Sequence, residues 1–203
     1  MSEPVTRPGG RTARVRRAVL DATGDALAEA GLQGLDLADV ARRAGVGKTT
    51  VYRRWGSPAA LVADLLVDMA ATSLPRSRTG SLHDDLLANA DLVQRTLDDP
   101  RQGRLFAAII AAATGDPRTA EALERFYDVR LAEWAPCVDE AVDRGDLPAG
   151  TDATEVVRAV SAPLYYHRLT RTDPVGRHRA VTAARAAAAA AQAGVFASRP
   201  SDD

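Results

Sequence analysis

Two short helical segments joined by a glycine-containing turn lie in the stretch LDLADVARRAGVGKTTVYRRWGSPAALVADLL, residues 35–66. Asp36 is a good N-cap for the first segment, which we expect to end at Gly45. The second segment is predicted over residues 49–55 and should end at Gly56. The first segment should bury four apolar side chains: Leu37, Val40, Ala41 and Ala44. Two small amphipathic helices joined in this way are typical of a helix-turn-helix.

The second helix of a helix-turn-helix enters the major groove of DNA, and its exposed side chains make the contacts. Here the residues that should project are Lys48, Thr49, Thr50, Arg53 and Arg54. Arginine and lysine can bind guanine or phosphate oxygens, and threonine can bond to bases or pack its methyl group against thymine. Val51 should face inward, and the hydroxyl of Tyr52 can reach the DNA backbone. The pattern therefore predicts a DNA-reading helix.

Further helices should flank this motif on both sides. An apolar stripe with spacings of three and four predicts a helix that starts at Arg11 and ends at Gly31. Its members are Val15, Val19, Ala22, Ala26, Leu27 and Ala30. Ser57 should cap a fourth helix with Pro58 at its first position, where a missing N–H costs nothing. The buried residues of that fourth helix should be Leu61, Leu65, Leu66 and Met69.

The rest of the chain is predicted to be helical as well. Five apolar patterns predict helices over residues 82–97, 101–113, 117–144, 154–170 and 175–196. Pro163 should kink the fourth of these helices. We therefore expect a flexible arm at residues 1–10, a three-helix DNA-binding domain with its following helix at residues 11–74, and a second helical domain at residues 75–203.

Composition and charge agree with this division. Aromatic residues make up only 4% of the 203 residues, whereas alanine and leucine abound, which favours helix over sheet. The net charge of −1 does not by itself predict a nucleic-acid partner. Residues 1–56 hold ten Lys and Arg against six Asp and Glu, whereas residues 57–203 hold sixteen against twenty-one. We therefore predict an all-α protein with a basic N-terminal module and an acidic body.

Several function classes are disfavoured. The first seventeen residues lack the apolar core of a secretory signal, and no run is long and apolar enough to span a bilayer, so we expect a cytoplasmic protein without a membrane partner. A single cysteine, Cys137, excludes an internal disulfide and a cysteine-based zinc site. The enzyme alternative is a thiol nucleophile formed by Cys137 and a histidine, but no phosphate loop, metal-ligand spacing or nucleophile elbow accompanies it. We expect neither enzyme activity nor a cofactor.

The quoted stretch resembles the signature of TetR-family transcriptional repressors, in which a helix-turn-helix is followed by Tyr-x-x-aromatic-x-Ser and another helix. The resemblance covers residues 11–70, and residues 145–176 are more loosely similar to the C-terminal domain of many members. It implies a helical homodimer with an N-terminal DNA reader and a C-terminal domain that binds a ligand and dimerises. Such a repressor binds a double-stranded palindromic operator and is released by a small molecule. Activation, or an architectural DNA-binding protein without ligand control, are the alternatives.

The residue types and the resemblance together give eight candidates for DNA contact: Arg14, Lys48, Thr49, Thr50, Tyr52, Arg53, Arg54 and Trp55. Tyr52 matches the tyrosine that contacts a phosphate in the family. Trp55 matches the aromatic residue beside it and could equally pack on the fourth helix. Members commonly have a lysine where this chain has Pro58, so affinity should depend more on the arginines of the reading helix and on the first helix. Arg7 and Arg11 could reach a minor groove, or the N-terminal arm could be idle.

A ligand pocket is expected in the second domain, between the helices predicted at residues 82–97, 101–113 and 117–144. The candidates for its lining are Phe106, Ile110, Tyr127, Arg130, Trp134 and His167. Tyr127 and Trp134 share one helix face with Arg130. An aromatic stripe of this kind is more often core, but an arginine buried without a partner is costly. We therefore predict an unidentified small-molecule ligand that is anionic or carries a carbonyl group.

The last two predicted helices are candidates for a dimer interface. Four residues of the first share one face: Val156, Val160, Leu164 and His167. The second has an alanine surface around Ala183, Ala187 and Ala191, and small residues let two helices approach closely. We expect these faces to form a four-helix interface between two subunits; the alternative is that the alanines pack only within one subunit.

Overall fold

The computed structural model of the chain describes residues 9–73 and 75–198. Within these residues it contains ten α-helices, one short 3-10 helix and no β-strand, apart from an isolated bridge between Thr151 and Ala197. The helices are α1 (Gly9–Ala30), the 3-10 helix (Leu32–Gly34), α2 (Leu37–Arg43), α3 (Lys48–Arg54), α4 (Pro58–Thr72), α5 (Leu82–Asp98), α6 (Pro100–Ala113), α7 (Pro117–Trp134), α8 (Pro136–Asp143), α9 (Ala153–Thr170) and α10 (Gly176–Gln192). The predicted all-α fold is confirmed.

The described residues divide into two compact units. The first contains residues 9–71 and 104–124, and the second contains the described parts of residues 72–103 and 125–198. The sequence pattern had placed all residues after the DNA-binding domain in one body. Residues 104–124 instead group with the N-terminal helices, so the unit boundaries fall inside α6 and inside α7.

The core of the first unit is formed by apolar faces of α1 to α4. Its fully buried side chains include Leu20, Leu27, Val40, Val51 and Leu61. Removing one such side chain from water contributes roughly 1.5–3 kcal/mol. Four predicted core residues are less buried than expected: Val15, Ala44 and Met69 are half-buried, and Ala30 is exposed. Leu20 and Thr23 are buried without having been predicted, and Thr23 tolerates burial because its hydroxyl donates to the carbonyl of Val19 at 2.8 Å.

Helix ends in the first unit follow the predicted local chemistry. The side chain of Asp36 caps α2 by accepting from Asp39 N at 3.0 Å, and Ser57 caps α4 by accepting from Ala60 N at 3.3 Å. α1 begins at Gly9, two residues earlier than predicted. Residues 1–8, which include Arg7, lie outside the described residues.

In the second unit, α5, α9 and α10 pack against one another. The long helix predicted over residues 117–144 is a pair of helices, α7 and α8. Proline has no backbone N–H to continue a helix but suits a first turn, and Pro136 accordingly starts α8. By contrast, α9 continues through Pro163, whose side chain is exposed.

The predicted dimer face belongs to the core of the second unit. The seven residues assigned to that face are all buried within the chain: Val156, Val160, Leu164, His167, Ala183, Ala187 and Ala191. The small side chains of α10 do permit close helix packing, but the neighbours are α5 and α9 of the same chain. The prediction that these residues face a second subunit is therefore wrong, and the alternative of packing within one subunit is what the structure shows.

Candidate DNA-binding site

The turn between α2 and α3 is short and held by backbone hydrogen bonds. Ala44 N donates to the carbonyl of Val40 at 2.9 Å, and Val46 N donates to that of Ala41 at 3.0 Å. Gly45 lies between them with φ of 65°, a left-handed conformation that glycine adopts without strain. This turn fixes the direction in which α3 leaves α2, as a helix-turn-helix requires.

α3 buries one side chain and turns the others outward. Val51 is fully buried, as predicted. Five of the outward side chains are exposed, including Tyr52 at 50%, and Thr50 is half-buried. We call these six residues the reading surface: Lys48, Thr49, Thr50, Tyr52, Arg53 and Arg54. One short helix thus presents three cations, two hydroxyls and a phenol, which are groups that bind phosphate and base edges.

Trp55, the residue after α3, has a different position from the reading surface. It is only 8% exposed, and its indole Nε1 donates to Asp64 Oδ2 of α4 at 2.9 Å. The guanidinium carbon of Arg54 lies 4.9 Å from the centroid of the Trp55 ring. Of the two roles considered for Trp55, the geometry favours packing on the fourth helix, since its one donor is used inside the unit.

α1 contributes basic residues to the same unit. Arg14 is exposed, as a DNA contact must be. Arg16 instead pairs with Asp64 at 2.8 Å and with Asp68 at 2.6 Å, and Arg17 pairs with Asp68 at 2.8 Å. The sequence analysis did not predict these ion pairs. A signal for them exists, because Asp64 and Asp68 lie four residues apart on one face of an otherwise apolar helix and therefore need basic partners.

A second cluster of candidates lies in the second unit. The rings of Tyr127 and Tyr165 meet edge to face, with centroids 5.6 Å apart, and their hydroxyls are hydrogen-bonded. Burial raises the pKa of Tyr127, and it raises the pKa of Tyr165 to about 12, so both are neutral donors at pH 7. Burial also lowers the pKa of the half-buried Arg130, and the negative charge of Glu133 acts in the opposite direction. Tyr165 was not among the predicted lining residues.

The other residues that were predicted to line the ligand pocket are divided between the two units. Trp134 is 2% exposed, and its Nε1 has no hydrogen-bond partner among the residues that the structure describes. His167 is buried with Nε2 3.1 Å from the carbonyl oxygen of Asp173, so it ties the end of α9 to the loop that follows. Phe106, which is buried, and Ile110, which is half-buried, belong to the first unit.

The described residues offer little support for a thiol nucleophile, a metal site or a membrane span. Burial raises the pKa of the Cys137 thiol to about 12, so the sulfur is protonated at neutral pH and is a poor nucleophile. Within residues 9–73 and 75–198, no group of His, Cys, Asp and Glu side chains is arranged to hold a metal ion. None of the helices in the same residues has both the length and the apolar character of a membrane span.

Two family models match the chain. Residues 19–65 match the model of bacterial regulatory proteins of the tetR family, and residues 76–191 match the model of the tetracyclin repressor-like C-terminal domain. The chain belongs to the TetR family. It is therefore a DNA-binding transcriptional regulator of the helix-turn-helix type.

Known TetR-family proteins are similar over most of their length. The transcriptional regulator AqdR of Rhodococcus erythropolis is 33% identical over 72% of this chain and 70% of its own. A DNA-binding transcriptional repressor TetR of Mycobacteroides abscessus is 30% identical over 71% of this chain and 76% of its own. The structure of Salmonella enterica GusR, at 20% identity, covers 96% of this chain and 99% of its own with a TM-score of 0.72, and supports the fold.

Proposed function

We propose that this TetR-family protein is a homodimeric repressor that acts in the cytoplasm, binds a palindromic operator through α3 and is released by a small molecule. The observation that carries the proposal is the reading surface, six outward side chains on a helix fixed by a tight turn. The Mycobacteroides abscessus relative is named a repressor, which favours repression over activation.

Roles within the reading surface follow from side-chain chemistry. Thr49 and Arg53 are the candidates for base edges, since arginine can bond in two places to guanine and threonine can meet thymine. Tyr52 is the candidate for a phosphate, and such contacts position the protein without reading sequence. The exposed guanidinium of Arg14 would add a phosphate contact from α1.

The proposed dimer interface is the exposed side of α9, opposite to the face that was predicted. Tyr166 is 71% exposed and Leu169 is 47% exposed, and Ala162 and Pro163 are exposed on the same helix. An apolar surface of this kind on a monomer favours a protein contact. A second copy of the chain is the natural occupant, because a palindromic site requires two reading helices related by two-fold symmetry.

The proposed ligand site lies in the second unit around Tyr127, Arg130, Trp134 and Tyr165. The guanidinium of Arg130 and the indole of Trp134 can only donate hydrogen bonds, and the phenols can also donate. A ligand that matches them carries carbonyl or carboxylate oxygens on an apolar body. Its binding would favour one conformation of the dimer and change the separation of the two reading helices from about 34 Å, the distance between successive major grooves on one face of DNA.

Selection of bound duplexes from a random-sequence pool tests the proposal. Wild-type protein should recover a palindrome, bind it as a dimer in gel shifts and bind a shuffled duplex of equal composition much more weakly. Recovery of no common sequence would contradict the proposed operator.

Screening of carboxylic acids and ketones for thermal stabilisation then separates a ligand-controlled repressor from an architectural protein, which none of these compounds should stabilise.

A further inference from the structure

The carboxylate of Asp64 in α4 joins three elements of the first unit. Its Oδ1 accepts from Arg16 Nη2 at 2.8 Å, and its Oδ2 accepts from Trp55 Nε1 at 2.9 Å. Arg16 Nε lies 3.2 Å from each oxygen, and Arg16 Nη1 donates to Asp68 at 2.6 Å. One side chain therefore connects α1 and α4 with the residue that directly follows α3.

Trp55 extends this connection to the reading surface. The guanidinium of Arg54 lies over the Trp55 ring at 4.9 Å, within the range in which a cation is attracted to an aromatic face. Arg54 is exposed and belongs to the reading surface. The ring that Asp64 holds in place is thus also the surface on which this arginine rests.

α3 depends on contacts of this kind because it is short. Its seven residues make about two turns, and isolated helices of that length are not stable in water. The residue before α3, Gly47, makes no side-chain capping bond, and Val51 is the buried residue within the helix. The packing of Trp55 therefore has a large share in fixing the C-terminal end of α3.

Asp64 is suited to this task because it is ionised at neutral pH. Partial burial acts to raise the pKa of the carboxyl, but hydrogen bonds from Arg16 and Trp55 outweigh it, and the pKa lies below its ordinary value. Hydrogen bonds to a charged acceptor are stronger than those between neutral groups. An asparagine at this position would lose the charge and one of the two acceptor oxygens.

We propose that Asp64 is a positioning residue for DNA recognition, which holds the Trp55 indole so that Arg54 and the end of α3 meet the operator in one geometry. The inference rests on the proposed role of α3 as the reading helix. Asp64 itself need not touch DNA. Affinity for a specific sequence should depend on Asp64 more than non-specific affinity does, because base contacts require fixed geometry whereas attraction to phosphates does not.

The test compares three variants of the full chain with wild type. Trp55→Phe deletes the indole donor but keeps an aromatic ring for packing and for Arg54. Asp64→Asn weakens the acceptor, and Asp68→Asn is the matched control, since it removes the other carboxylate partner of Arg16 and leaves the bond between Asp64 and Trp55 in place. Fluorescence anisotropy measures binding to a duplex that wild-type protein selects from a random pool and to a shuffled duplex, while circular dichroism records folding.

We expect Asp64→Asn and Trp55→Phe to lose about tenfold in affinity for the selected duplex and far less for the shuffled one. Asp68→Asn should lower the melting temperature and keep the ratio of the two affinities. The loss from Asp64→Asn should shrink in an Arg54→Ala background, because both changes interrupt the same path.

Equal losses on the two duplexes, or an undiminished loss in the Arg54→Ala background, would overturn the positioning role. If Asp64→Asn does not fold, the duplex ratio of Trp55→Phe decides the question alone. If wild-type protein selects no duplex, the reading role of α3 fails and this inference fails with it, a result distinct from equal losses in the variants.

Discussion

Asp98, the last residue of α5, holds the start of α10 by hydrogen bonds. Its Oδ1 accepts from Val175 N at 2.7 Å, and its Oδ2 accepts from Gly176 N at 3.0 Å. Gln94 Nε2 donates to the same Oδ2 at 2.6 Å. The two backbone donors lie at the beginning of α10, where N–H groups have no partner within the helix. Asp98→Ala therefore removes the acceptor that satisfies both.

The expected loss of stability follows from these contacts. A hydrogen bond to a charged group contributes about 1.5–3 kcal/mol, and a buried donor left without an acceptor adds to the loss. Water can reach part of the half-buried site and recover some of it, so we expect Asp98→Ala to lower the free energy of unfolding by about 3 kcal/mol. In a chain of this size that corresponds to a melting temperature lower by roughly 6–12 °C. Asp98→Asn keeps one acceptor oxygen, so its free energy of unfolding should lie between those of wild type and Asp98→Ala.

Urea unfolding followed by circular dichroism measures the difference. Asp99→Ala is the matched control, because Asp99 caps α6 by accepting from Arg101 N and Gln102 N at an exposed site, where loss of a cap costs about 1 kcal/mol. A loss in Asp98→Ala no larger than that of the control would refute the reasoning.

The same site should give a pH dependence. Partial burial acts to raise the pKa of Asp98, but hydrogen bonds from Gln94, Gly176 and Val175 outweigh it and lower the pKa below its ordinary value. A carboxyl whose pKa is lowered by folding stabilises fully above its unfolded pKa, about 3.9, and loses that effect as the pH falls through the folded value. The difference between wild type and Asp98→Ala should therefore be full at neutral pH and narrow below about pH 4. An unchanged difference in acid would contradict the assigned cause.

Three further predictions concern DNA, ligand and assembly. Thr49→Ala combined with Arg53→Ala should cost about 1–3 kcal/mol for each lost base contact, and a gel-shift titration with unchanged affinity would contradict the position of the reading surface. Trp134→Phe should keep the free energy of unfolding within about 1 kcal/mol of wild type, because removing an unpaired donor offsets the loss of packing by the smaller ring. The same variant should abolish the fluorescence change on ligand binding. A fluorescence change that persists in the variant would come from Trp55 and contradict the proposed site. Tyr166→Glu should yield monomers in sedimentation at micromolar concentration, and an unchanged mass would count against the proposed interface.

The DNA-binding motif could be predicted from sequence because local chemistry determines it. Asp36 and Ser57 cap the helices they were expected to cap, and Gly45 has the left-handed conformation that its turn requires. Val51, the one aliphatic residue of the second helix, was expected to face inward and is fully buried. Each of these features depends on residues within one turn of a helix, so the sequence contains all the information needed.

The dimer face could not be predicted in the same way. α9 has apolar residues on two sides, one with Val160 and Leu164 and the other with Tyr166 and Leu169. Periodicity shows that both sides are apolar but not which one the same chain covers. The side with Val160 and Leu164 is the one that is buried against α5 and α10. Long-range packing decided the outcome, whereas the break between α7 and α8 has a local signal in Pro136, which suits the first turn of a new helix.

The two tryptophans of the chain are both buried, but only one has its N–H group satisfied within the described residues. Trp55 donates to Asp64 at 2.9 Å, whereas Trp134 Nε1 has no partner there. A buried donor without an acceptor costs about 1–3 kcal/mol. A ligand oxygen placed at Trp134 would recover that free energy, and one placed at Trp55 would recover none. Arg130, one helical turn away from Trp134 on α7, adds further donors. This difference favours a ligand response in the second unit, and it favours a ligand with a carbonyl or carboxylate oxygen over a purely apolar one.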